Sequence, residues 1–102
     1  RMKRVVIYGF KGTFIGNSEY EYTFPNIDDT HKCMLFLSQD SEELIFNAAE
    51  KECHRYGFSN IENMRANLLK VEVLNTDQYR GFTGFYEEAL SDGSALVYYP
   101  NT

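Results

Sequence analysis

Hydrophobic and polar positions alternate along this chain with two different periods, and the changes of period mark its elements. Val5 to Phe10 (VVIYGF) is β-branched and aromatic on both alternating faces, which predicts a central strand. Lys11-Gly12 and Gly16-Asn17 are turn-like and bracket a short extension through Phe14 and Ile15. Glu19 to Phe24 (EYEYTF) then shows the clearest period of two in the chain. Glu19, Glu21 and Thr23 share one face of that predicted strand, and Tyr20, Tyr22 and Phe24 the other. Pro25-Asn26 ends it, because proline cannot donate to a ladder. His31 to Ser38 (HKCMLFLS) reads as a third strand.

The period then lengthens to that of a helix. Asp40 and Glu43 form a capping box, followed by an apolar stripe of Ile45, Ala48, Ala49, Cys53 and Tyr56. Gly57 suits a left-handed C-cap, with Phe58 placed for its apolar contact. Asn67 to Asn75 (NLLKVEVLN) reads as a strand with Leu69, Val71 and Val73 inward. A second helix is expected from Thr76 or Asp77 to Ser91, with Tyr79, Phe82, Phe85 or Tyr86, Ala89 and Leu90 as its stripe. Gly81 and Gly84 weaken its first turns by about 1 kcal/mol each against alanine. Gly93 ends it, and Ala95 to Tyr99 (ALVYY) closes the chain as a strand before Pro100. The order β-β-β-α-β-α-β predicts one α+β domain over residues 1–102. Its sheet is mainly antiparallel, with about five strands and both helices on one face.

Composition is consistent with one soluble domain. The chain has 102 residues, 43% hydrophobic and 25% charged, which gives room for a single core and argues against disorder. Its longest apolar runs fall far short of the ~20 residues that span a bilayer, so no membrane association is expected. Met2 is read as the natural start, with Arg1 an addition ahead of it. Gly9 and Lys11 break the first apolar run too early for a secretory signal, and the expected location is the cytoplasm. Two cysteines, Cys33 and Cys53, make no disulfide framework and read as small buried side chains.

Candidate chemistry is sparse. His31 with Cys33, and Cys53 with His54, offer nitrogen and sulfur but lack the C-x-x-C or H-x-x-x-H spacing that brings two ligands to one ion, so no metal or other cofactor is expected. Neither a nucleophile elbow nor an orienting third group accompanies any Cys–His pair, so catalysis is not expected. The G-x-x-G stretches at Gly9 to Gly12 and Gly81 to Gly84 lack the remaining signature of a phosphate loop. A net charge of −5 disfavours nucleic acid, and the bases Arg1, Lys3, Arg4 and Lys11 are the one cluster of the opposite sign.

Charge and aromatic content change the picture more. There are 15 acids against 10 bases, and 8 Tyr with 8 Phe. Glu19, Glu21, Asp28 and Asp29 follow one another with no intervening base, as do Glu87, Glu88 and Asp92 towards the C-terminus. Tyrosine anchors in a negative field suit a basic protein partner. The residues expected to contact it are Glu19, Glu21, Asp28, Asp29, Tyr86, Glu87 and Glu88. Taken singly, each also fits a solvated surface or a half-buried sheet position.

The stretch Phe82 to Asn101 (FTGFYEEALSDGSALVYYPN) resembles the C-terminal close of small immunity proteins from bacterial polymorphic-toxin and contact-dependent growth inhibition systems. That resemblance covers about a fifth of the chain and carries over no family-defined residue. It implies a cytosolic, non-enzymatic protein that binds and neutralises one cognate toxin domain, often a basic nuclease. Rival readings are a small cytosolic enzyme or metal-binding protein using Cys and His, and a homo-oligomeric accessory subunit.

Overall fold

The first strand dictates the architecture, because it is apolar on both sides. In the computed structural model, which describes residues 3–77 and 80–100, β1 (Arg4–Phe14) buries Val6, Tyr8 and Phe10 on one face. It buries Val5 and Ile7 on the other. A strand with no polar face must be covered twice. It lies inside a four-stranded antiparallel sheet of spatial order β3-β1-β2-β4, with β2 at Thr30–Gln39, β3 at Phe58–Leu68 and β4 at Ser94–Tyr99. The β1–β2 register runs from Arg4 opposite Gln39 to Thr13 opposite Thr30.

Helix α1 (Phe46–Arg55) delivers Ala49 and Cys53 to the first face, against Phe10, Phe14, Leu35 and Phe58. Helix α2 (Thr83–Asp92) delivers Ala89 and the half-buried Phe85 and Tyr86 to the second, joined by Phe82 just before it, and Phe85 stacks on Phe36 at 5.6 Å. The two helices therefore cover opposite faces. The expectation that both lie on one face is corrected by the alternation of β1 itself.

The chain is a single α+β domain with an antiparallel sheet and two helices, as expected, but with four strands. Glu19–Phe24 forms no ladder. Its alternation survives, with Tyr20 and Tyr22 turned onto the first core and Glu19, Glu21 and Thr23 exposed. It crosses that face as an irregular strap, fastened by Glu19 N–H to Arg55 O at 2.7 Å. The period of two reports which side is buried, and a strap has sides as a strand does.

The strand expected at Asn67 to Asn75 lies earlier in the chain. β3 begins at Phe58, and Val71–Asn75 is a 3-10 turn in which Leu74 is buried and Val71 exposed. Phe58 is buried, and the inward residues that follow along β3 are Ile61, Met64, Ala66 and Leu68. The two three-residue steps at the start coincide with two register shifts against β1 and with positive φ at Asn60 and Asn63. Each bulge adds one residue and hides the period of two.

Helix α1 starts without the predicted capping box. Asp40 bonds Lys3 instead, at 2.7 Å. The approach to α1 is held from below: the Tyr8 hydroxyl donates to Gln39 Oε1 at 2.5 Å and accepts the Ile45 N–H at 2.9 Å. Gln39 Nε2 donates to the carbonyls of Ser41 and Glu43. Helix α2 is preceded by a 3-10 turn at Arg80–Phe82, and Tyr79 of its expected stripe lies outside the described residues.

Gly57 closes α1 in the left-handed region, at φ +95°. A Cβ there would meet Phe14 Cε1 at 2.6 Å and the Gly16 carbonyl at 2.9 Å. Gly57→Ala is expected to destabilise the fold by about 2–4 kcal/mol, from the backbone conformation and the overlap together. The urea midpoint of the variant against the parent measures it.

Candidate functional site

The strap and α2 lie on opposite faces of the sheet, and at the outer edge of β4 they bound a cleft of about 130 Å³. Tyr20, Glu21 and Tyr22 line it from the strap, Glu88 and Asp92 from α2, with Tyr56 and Ser94 at its base. Glu88 and Asp92 are one helical turn apart, so their carboxylates share a flank of α2. Among the described residues no base pairs with Glu21, Glu88 or Asp92; the ion pairs involve other acids. Burial, and then the neighbouring charge of Asp92, holds the Glu88 carboxyl above the usual glutamate range.

The base of the cleft is a hydrogen-bonded relay centred on Glu52, whose side chain is 14% exposed. Its Oε2 accepts from the Tyr20 hydroxyl at 2.6 Å and from Ser94 Oγ at 2.5 Å. Ser94 spends its only proton on Glu52, so the Tyr56 hydroxyl donates to Ser94 Oγ, at 2.9 Å. Arg55 Nη1 reaches Glu52 Oε1 at 3.2 Å, and its guanidinium lies 4.9 Å from the centre of the Tyr20 ring. Tyr22 donates to the Tyr56 carbonyl at 2.5 Å, and the Tyr20 and Tyr56 rings sit 4.5 Å apart. Burial pushes the Tyr56 hydroxyl up to about 12, and burial with the Glu52 bond raises Tyr20 as well. These phenols stay protonated donors across the physiological range.

Of the seven residues expected at an interface, the structure brings Glu21 and Glu88 together in the cleft. Glu19 sits beside it and is ion-paired with Arg55 at 3.2 Å. Asp28 and Asp29 lie by the start of β2, roughly 24 Å along that strand from the end that pairs with Ser94. Tyr86 turns the other way, into the second core and towards a groove with Arg4, Glu42 and Glu72. Glu87 is exposed on α2 and does not line the cleft.

Sequence reasoning passed over Glu52, Asp92 and Ser94 as site residues. Glu52 had a readable signal: it sits beside Cys53 and one turn before Tyr56, at the margin of the apolar stripe.

Bases gather elsewhere. Lys11, Lys32 and Arg65 line a shallow groove of about 550 Å³ with Gly9, Met34 and Tyr99, on the sheet face that α2 occupies. Charge is thus segregated in space as it is along the chain. His31 Nδ1 meets the Tyr99 carbonyl at 3.1 Å and His54 Nδ1 the Phe58 carbonyl at 2.9 Å, so each His ring is bound to main chain. Among the described residues no three His, Cys, Asp or Glu are placed to hold one metal ion, and no helix is long and apolar enough to cross a membrane. No protein-family model, curated protein or solved structure matches the chain.

Two outcomes test this arrangement. Glu52→Ala removes the acceptor for Tyr20 and Ser94 and is expected to cost about 2–4 kcal/mol of stability in urea unfolding. Both thiols are free and buried, and burial raises Cys33 to about 12 and raises Cys53 in the same direction. Neither should react with a disulfide reagent at pH 8 in the native protein, and both should react once it is unfolded in urea.

Proposed function

We propose that this chain is a binding protein of the immunity type, which neutralises a cognate toxin domain in the cytoplasm by capturing a basic surface of it. The observation that carries this reading is the cleft at Tyr20, Glu21, Tyr22, Glu88 and Asp92, where three acids with no ion-pair partner among the described residues surround tyrosine rings. Unpaired acids at close quarters repel one another, and a cationic side chain relieves that repulsion. A lysine or arginine entering the cleft meets carboxylates on two walls, and tyrosine faces supply apolar and cation–π contact. The opposite segregation of Lys11, Lys32 and Arg65 gives the molecule a charge asymmetry that orients an approaching partner. No step of this reading uses catalysis or a cofactor. The resemblance of Phe82 to Asn101 to immunity proteins agrees with it, since that stretch holds two of the three acids.

The test begins with a tagged pull-down from the source cells at low and high salt, read by mass spectrometry, followed by titration with the captured partner. The partner should be a basic toxin domain, held less well as salt rises. Replacing the three acids together (Glu21→Gln, Glu88→Gln, Asp92→Asn) should weaken binding about tenfold, at roughly half a kcal/mol per exposed pair. Affinity should also fall as pH is lowered into the acid range, because the raised Glu88 carboxyl takes up its proton before an ordinary glutamate does. A partner bound equally by the triple variant and indifferent to salt would refute the proposal.

A further inference from the structure

We infer that the partner enters this cleft as an extended segment that adds a fifth strand to the outer edge of β4. The inference rests on the reading of the cleft as a site for a basic partner and specifies the form that partner takes. Among the described residues β4 pairs with β2 alone. The Ser38 N–H bonds the Gly93 carbonyl at 2.9 Å, which sets the phase of that ladder. Residues 93, 95, 97 and 99 turn their main-chain groups to β2, so those of Leu96 and Tyr98 turn outward. Among the described residues no main-chain partner meets these two on the outer side.

The two edges of the sheet are built differently. β3 carries two register shifts, Asn60 and Asn63 at positive φ, and the exposed charges Glu62 and Arg65. These are the devices by which sheets discourage pairing at an edge. β4 (SALVYY) has no charge, no proline and no register shift. An edge left open on one side and blunted on the other is a template with a direction.

The surroundings of β4 select the occupant. At the Ser94 end of the edge Glu21 stands on the strap side, and Glu88 and Asp92 on the α2 side. An incoming strand with bases at alternate positions places them against Glu88 and Asp92. Its intervening apolar side chains then fall on the side of Tyr20 and Tyr22. The occupant that these three acids select is a basic, alternating segment of a partner protein.

A blocked hexapeptide alternating arginine and valine tests this against nitrogen-15-labelled protein, with three relatives. Two are N-methylated on one or the other set of alternate amides, and the third has glutamate for arginine. The parent peptide should slow hydrogen exchange at the Leu96 and Tyr98 amides. One methylated relative, the one blocked on the side facing β4, should bind about tenfold more weakly than the other. Equal binding by both methylated forms, or unchanged exchange at Leu96 and Tyr98, overturns strand addition and leaves the acidic cleft standing. A glutamate peptide that binds as well as the parent removes the charge reading and leaves strand addition standing. Failure of all four peptides to bind overturns strand addition, while the acid-to-amide variants judge the cleft separately.

Discussion

Everything else in this molecule follows from a first strand that has no polar side. Val5 and Ile7 point one way, Val6, Tyr8 and Phe10 the other, and all five are buried. Leaving either set in water would forfeit roughly 1.5–3 kcal/mol for each large side chain. One helix cannot cover both faces, so α1 and α2 are sent to opposite sides and the chain becomes a three-layer structure. The only polar group on those five side chains is the Tyr8 hydroxyl. It is satisfied by Gln39 and by the Ile45 N–H, and so links the core to the approach of α1.

Glu52 does the corresponding work at the periphery. It comes from α1, yet its carboxylate gathers Tyr20 from the strap and Ser94 from β4. A strap without a ladder has few main-chain bonds to hold it, and side chains take over that task. Tyr20 and Tyr22 bury their rings on the core while their hydroxyls bond Glu52 and the Tyr56 carbonyl. One wall of the cleft is thereby fastened to the hydrophobic core. A wall already in place loses little freedom when a partner docks, which favours affinity for a given contact area.

Much of the fold was legible in the sequence where each element has one period and one clear end. VVIYGF, HKCMLFLS and ALVYY all stand as strands, and Gly57 and Gly93 stand at the helix ends with φ of +95° and +99°. Legibility failed where two physical causes give one pattern. EYEYTF alternates because a strap also has a buried and an exposed side. β3 fails to alternate because bulges at Asn60 and Asn63 insert residues into the count. The helix placement was recoverable in principle, since a strand apolar on both faces already demands two covers. The cleft was half legible: Glu21 and Glu88 are visible as acids in base-free stretches. The fold brings Asp92 to the same edge, and Asp28 and Asp29 to the far end of β2.

The position of the acids also bears on the open edge of β4. An uncharged strand edge is an aggregation hazard, and the usual remedy is a charge or a proline on the strand itself. Here the charges stand beside the strand, on the strap and on α2, and the strand is left clean. Placed there, they leave the main-chain groups of the edge uncovered and, on the strand-addition reading, available to a strand of opposite charge. On that reading the carboxylates beside the strand select the partner and the main-chain groups of the strand hold it. This arrangement is open to a chain whose net charge is −5 and whose bases gather elsewhere, as Lys11, Lys32 and Arg65 do.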